Sequence, residues 1–229
     1  MIYSDSGQTV RAGTMAISPE DLAAITRAEA PALCPELRLP GLPQSEDFEG
    51  FRGRHQALLG AAVPYWVVAW PGGQALARYL LDNPEAVRGR PVVDLGCGSG
   101  LVAAAALRAG AARALALDSD PNALSAVAGT AALNGLSLET CLGAIETCEP
   151  EAGAVICAGD LWYERETGRR ATAALRRLAA AGHEVLCGDP DRPARPRQGA
   201  VPLADYAVAA SEAFERARCV PCRVFALRP

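Results

Sequence analysis

Between residues 90 and 190 the spacing of apolar positions alternates along the chain. Short apolar runs at 91–95, 114–117, 154–158 and 184–187 read as buried strands, with a weaker one at 136–141. Between them, 100–109, 121–133 and 167–181 repeat apolar residues at helical spacing. Asp120 stands as N-cap before Pro121, and arginines line one face of the third helix. Strands alternating with helices at this spacing predict a doubly wound α/β fold, with a mostly parallel sheet covered on both faces. Past residue 190 the alternation breaks. Strands at 205–208 and 223–227 around a helix at 211–216 predict a closing antiparallel hairpin. Upstream, Ser18-Pro19-Glu20-Asp21 starts a helix predicted over 19–30, and Pro31, Pro35, Pro40 and Pro43 punctuate a loop that ends near Gly53. Within 64–83, Gly72 and Gly73 open a helix carrying Leu76, Tyr79 and Leu80. We therefore divide the chain into a helical N-terminal extension, 1–62, and a main domain, 63–229. Ligands are expected at the C-terminal ends of the parallel strands.

Composition narrows the function classes. Half of the 229 residues are hydrophobic and 21% are charged, enough for a sizeable core and incompatible with a disordered chain. A net charge of −4 argues against a nucleic-acid partner, which calls for a basic face. The longest apolar run, 101–107, is short and Ala-rich, well below the roughly 18 residues a membrane span needs, so no membrane association is expected. Residues 1–14 lack the basic and apolar regions of a signal peptide, which makes a cytoplasmic location the expectation. All 22 basic residues are arginine. GC-rich codon usage explains this together with the abundant Ala, Gly and Pro; a lysine-modifying enzyme would also gain from having no lysine of its own. The eight cysteines are scattered and read as free thiols. Cys219 and Cys222 form a lone C-x-x-C with no second pair or histidine to complete a zinc set, so no metal site is expected.

The densest chemistry lies at Asp94-Leu95-Gly96-Cys97-Gly98-Ser99-Gly100. Glycines let the chain turn sharply after a strand and approach a ligand without a Cβ in the way, and the helix that follows aims free N–H groups there. Asp118 ends the next strand, about 20 residues on, where a carboxylate can take both hydroxyls of a ribose. The third glycine falls one residue early for the dinucleotide fingerprint G-x-G-x-x-G. Asp94 would repel a pyrophosphate but suits a ligand bearing an α-amino group and a sulfonium. The chemistry points to S-adenosyl-L-methionine over the nicotinamide or flavin dinucleotide that is the alternative. The loop resembles motif I of the class I methyltransferases, D-x-G-x-G-x-G.

Further segments resemble one family, the electron transfer flavoprotein β-subunit lysine methyltransferases and their bacterial relatives. They are Cys34-Pro35-Glu36-Leu37-Arg38-Leu39, Pro64-Tyr65-Trp66, Trp70-Pro71-Gly72-Gly73-Gln74, Asp118-Ser119-Asp120-Pro121, Asn134-Gly135, Gly159-Asp160-Leu161-Trp162-Tyr163-Glu164 and Gly188-Asp189-Pro190-Asp191-Arg192. The resemblance implies a seven-stranded Rossmann-like sheet, S-adenosyl-L-methionine as cofactor and the flavoprotein β-subunit as protein partner. It implies cofactor contacts from Trp70, Gly72, Asp94, Gly96, Cys97, Gly98, Ser99, Gly100, Asp118, Ser119 and Asp160, and catalytic roles for Asp160, Tyr163 and Glu164. Two positions depart from the pattern. Asp191 stands where the family has a second glycine, and Gly143-Ala144-Ile145 offers no acid for the adenine amino group.

Methyl transfer from a sulfonium is an in-line displacement in which alignment supplies much of the rate, without metal or covalent intermediate. A lysine nucleophile must first shed a proton, its reference pKa being near 10.4. Asp160, at the end of the fourth strand, can orient such an amine, with Trp162 and Tyr163 as cation–π walls; a bland alternative makes Asp160 a helix N-cap. Trp66 reads as a core aromatic, His55 as a surface or packing residue, His183 as structural, and Arg169, Arg170, Arg176 and Arg177 mostly as a solvated helix face. Three functions fit these residues: a protein-lysine methyltransferase, an N-methyltransferase acting on a small nicotinamide-like heterocycle, and a non-catalytic cofactor-binding module.

Overall fold

A computed structural model describes residues 16–43, 47–60, 63–209 and 219–229. In chain order the elements are α1 (Pro19–Ile25), β1 (Arg27–Glu29), β2 (Leu39–Gly41), α2 (Phe48–Arg54), α3 (Gln56–Leu59), α4 (Pro71–Asp82), β3 (Pro91–Leu95), α5 (Leu101–Arg108), β4 (Arg113–Asp118), α6 (Pro121–Asn134), β5 (Glu139–Leu142), β6 (Val155–Gly159), α7 (Arg165–Ala180), β7 (Glu184–Asp189), β8 (Ala200–Ala209) and β9 (Cys219–Leu227). The main sheet has seven strands in the order β5-β4-β3-β6-β7-β9-β8. The first five run parallel, and β9 pairs antiparallel with both β7 and β8. This is the expected doubly wound sheet with its antiparallel closing pair. The pair is longer than the sequence pattern suggests, and the helix predicted at 211–216 lies outside the described residues.

Two-residue alternation decides which side chains face which layer. Val92 on β3 and Val155 and Cys157 on β6 pack under α4 and α5, whose buried face is rich in alanine: Ala75, Ala77, Ala103, Ala104, Ala105 and Ala106. Small residues there let the helices lie close to the sheet. Val93, Leu95, Ile156, Ala158 and Val185 point the other way, onto Leu175 and Leu178 of α7 and Phe225 of β9. Because β3 pairs with β4 on one side and β6 on the other, the strand order reverses at β3. A crevice opens there, beyond the strand ends.

The upstream segment differs from its expectation. The helix predicted over 19–30 stops at Ile25, because Thr26 is extended and its hydroxyl donates back to the Leu22 carbonyl at 2.7 Å. The chain then pairs β1 with β2 in a small antiparallel ribbon, and the predicted loop also contains α2, whose N-cap Asp47 accepts from Gly50 N–H at 2.7 Å. Ile17, Leu22, Ile25, Phe51 and Leu59 pack with Ala123 and Ala126 of α6, while Cys34, Leu37 and Leu39 join the main core. All eight cysteines are free thiols; on β9, Cys219 is exposed and Cys222 buried. Among the described residues no helix is long and apolar enough to cross a membrane.

Candidate active site

Two helices that point at the crevice start on residues unable to cap them. The N-cap of α5 is Gly100, and that of α4 is Trp70, whose indole has no acceptor. In both cases a strand-end aspartate does the capping from elsewhere in the chain. Asp94 is 1% exposed and accepts from the Ala103 N–H of α5 at 3.1 Å. Asp160, in the turn after β6, accepts from the Gly73 N–H of α4 at 2.8 Å through Oδ2. Asp160 is therefore a cap after all, but of a helix far away in sequence.

Asp160 reaches α4 only because glycines let three backbones meet. A Cβ on Gly72 would lie 2.5 Å from the Gly188 carbonyl oxygen and 2.6 Å from Asp160 Oδ2. One on Gly159 would lie 2.8 Å from the Gly73 Cα. Trp70-Pro71-Gly72-Gly73, Gly159-Asp160 and Gly188-Asp189 thus form one junction, in which α4 rests on the ends of β6 and β7. Asp191, the residue that departs from the family pattern, has φ 65°, in the left-handed region where glycine is favoured. Aspartate tolerates that region better than most residues, and its carboxylate pairs with Arg195 at 2.6 Å and with Arg197.

A cavity of about 570 Å³ opens over this junction and the motif I loop. Of the residues expected at the site, Trp70, Gly96, Gly98, Asp118, Ser119, Asp160 and Tyr163 line it. Gly72, Asp94, Cys97, Ser99, Gly100 and Glu164 do not. Gly72 lies beneath Asp160. Asp94 is committed to the start of α5, and Gly100 packs against Val127. Glu164 is the exposed N-cap residue of α7, next to Tyr163 in the chain, and its carboxylate accepts from the Thr167 hydroxyl at 3.3 Å. Trp162 is corrected as well: it is 1% exposed, donates to the Thr172 hydroxyl at 2.9 Å and packs on Phe225, so it belongs to the core.

The cavity gains residues that sequence reasoning left out. Tyr65, from a short helical turn at Tyr65–Val67, touches Tyr163 with ring centroids 5.6 Å apart and Trp70 at 6.0 Å. The Trp70 indole N–H donates to the Tyr65 carbonyl at 2.8 Å. Arg170 joins Glu146 in an ion pair on the cavity wall, so it does not belong to a purely solvated helix face. Arg192 reaches Asp160 Oδ1 at 3.3 Å. Only Arg192 and Tyr65 carried a signal, each standing inside a quoted segment.

Electrostatics set these carboxylates apart. Asp94 and Asp160 are both pushed up to about 7, chiefly by burial; at Asp160, Arg192 and the Gly73 N–H oppose the rise and Asp189 adds to it. Asp118 is raised by burial against the pull of backbone N–H groups, with Oδ2 accepting from Gly98 at 2.9 Å and Oδ1 from Asp120 at 3.0 Å. Each Asp118 oxygen keeps acceptor capacity toward the cavity. A carboxylate at the switch point, glycine backbone beside it and room for a nucleoside fit an S-adenosylmethionine-like ligand.

Relatives bear on this arrangement. Residues 75–158 match the family model for ribosomal protein L11 methyltransferase (PrmA). The electron transfer flavoprotein β-subunit lysine methyltransferase of Xenopus laevis is 40% identical over 173 residues, which is 73% of this chain and 68% of the frog protein. The chain belongs to that methyltransferase family. The human member is 42% identical over 132 residues, 57% of this chain and 50% of its own length, so the match spans about half of that protein. Among solved structures, a T. thermophilus 16S rRNA methyltransferase in complex with AdoMet and guanosine superposes with a TM-score of 0.52 at 17% identity, over 89% of this chain and 50% of that one; this likeness shows the shared fold. The chain is an S-adenosylmethionine-dependent methyltransferase. In this chain, the meeting of three glycine segments gives a physical reason for motifs that lie far apart in sequence.

Proposed function

We propose that the chain methylates a lysine amine of the electron transfer flavoprotein β-subunit, as a cytoplasmic enzyme with a protein and not a nucleic acid as acceptor. The observation that carries the reading is a buried carboxylate, Asp160, at the wall of a cavity rimmed by Tyr65, Trp70 and Tyr163. The names of the relatives supply the acceptor, and the net charge of −4 supports a partner other than nucleic acid.

The cofactor would contribute a methyl group activated on a positive sulfur. Asp118 would hold the ribose hydroxyls, and Gly96 and Gly98 would let the backbone approach the ligand. Asp94 and Asp160 fix the two helix starts that face the cavity, so the site is preorganised before the acceptor arrives. An incoming ammonium meets Asp160, while the aromatic rim offers π faces to a cation. Displacing water from that rim disfavours the charged amine, and its proton leaves to solvent before attack. Glu146 and Arg170, beside Gly143, Ala144 and Ile145, would bound the adenine end.

The test is methylation of purified flavoprotein β-subunit by the full chain, read by mass spectrometry. Turnover is expected to rise between about pH 7 and 9 as more amine is deprotonated. Methylated nicotinamide with an unmodified β-subunit and a flat pH profile would transfer the case to a small heterocycle as acceptor. Cofactor binding without turnover on either would exclude both acceptors and leave the methyltransferase with another substrate.

A further inference from the structure

Among the described residues, two non-glycine positions hold a positive φ: Asp160 at 54° and Asp191 at 65°. Aspartate tolerates such backbone better than most residues, and it collects where a site over-determines it. Here both flank one contact, the 3.3 Å approach of Arg192 to Asp160 Oδ1. The turn that carries Arg192 is pinned on both sides. Arg192 N–H donates to Asp189 Oδ1 at 2.7 Å, and the Asp191 carboxylate is clamped by Arg195 and Arg197. Asp160 Oδ2 is committed to the Gly73 N–H, which leaves Oδ1 for a cation. Charge-assisted N–H···O bonds measure about 2.7–2.9 Å, so the Arg192 contact is long and exchangeable. Both partners line the cavity.

Building on the reading above that the acceptor is a lysine, we propose that Arg192 is a positioning residue for methyl transfer. It holds the Asp160 carboxylate as an anion at the cavity wall until the acceptor ammonium takes its place at Oδ1. One cation replaces another, so the buried carboxylate stays balanced while the acceptor enters. Without Arg192, burial and the neighbouring Asp189 carboxylate both favour protonated Asp160, with only the Gly73 N–H opposing them. Asp118 and Tyr163 face the same cavity. A neutral Asp160 attracts no ammonium.

The experiment uses Arg192→Gln and Arg192→Lys in the full chain. The ionisation of Asp160 is followed by carbon-13 NMR of labelled aspartate, with Asp160→Asn identifying the signal, and kcat/KM on the flavoprotein β-subunit is measured from about pH 6 to 9. Arg192→Gln is expected to move the Asp160 titration and the acid limb of kcat/KM upward by about one pH unit. Near pH 7 kcat/KM falls about fivefold and recovers toward pH 9, while affinity for S-adenosylhomocysteine stays within about twofold. Arg192→Lys, which keeps the cation, leaves the titration near its wild-type position. The proposal is overturned if Arg192→Gln leaves the titration in place, if its rate falls by the same factor at every pH, or if Arg192→Lys shifts the titration as much as Arg192→Gln does. If the wild-type chain leaves the β-subunit unmodified, the acceptor assignment fails, and the NMR titration still decides the part played by Arg192.

Discussion

Replacing Asp160 with asparagine should make the protein more stable above neutrality while disabling it. The carboxylate is buried, and its pKa stands at about 7 against an ordinary 3.8. At about 1.4 kcal/mol per pKa unit, holding it ionised costs the folded chain roughly 4 kcal/mol once the pH exceeds 7. Its folded pKa is raised, so between about pH 4 and 7 the folded chain binds more protons than the unfolded one, and stability falls as pH climbs through that window. Asparagine has no such slope. Its amide oxygen can still accept the Gly73 N–H, but its NH₂ group then faces Arg192, a loss of about 1–2 kcal/mol. The net expectation is a variant about 2 kcal/mol more stable than wild type near pH 8 and about 1–2 kcal/mol less stable near pH 4. Asp94 is also raised by burial, but it is present in both proteins and cancels in the comparison; Asp189, which pushes Asp160 up, loses that repulsion in the variant, in the same direction as the gain expected above neutrality. Urea unfolding at the two pH values measures the difference, and turnover should drop about 10²-fold in parallel. A stability difference of the same sign and size at both pH values would refute the argument that burial dominates Asp160.

Two further outcomes follow from the same geometry. Asp118→Ala should weaken binding of S-adenosylmethionine by about 1–3 kcal/mol through loss of charge-assisted hydrogen bonds, and calorimetry showing unchanged affinity would remove Asp118 from the site. Gly72→Ala puts a methyl 2.5 Å from the Gly188 carbonyl oxygen; a cost of about 1–3 kcal/mol in unfolding free energy is expected, together with lost activity as α4 lifts off Asp160. A Gly72→Ala chain with wild-type melting and turnover would contradict that close approach.

Local pattern alone determined the alternating core of this protein. The period of the apolar positions in 91–187 reflects burial on two faces, and the glycine loop with Asp118 reflects a ligand at the strand ends; both are written in consecutive residues. The strand at 154–158 was legible for the same reason. What the sequence could not show was which distant segments touch. Asp94 and Asp118 look alike as strand-end acids, yet one faces α5 and the other faces the cavity, because the two strands leave the sheet into different loops. Trp162 and Tyr163 are neighbours in the chain. Their side chains separate, one into the core against Phe225 and the other onto the rim beside Tyr65. The helix expected to run to residue 30 ended at Ile25, where extended Thr26 leads into the β1–β2 ribbon. Asp160 needed the tertiary structure most. Its cap partner lies in α4 and its ion-pair partner beyond β7, and they meet only because glycines remove the side chains that would keep three backbones apart.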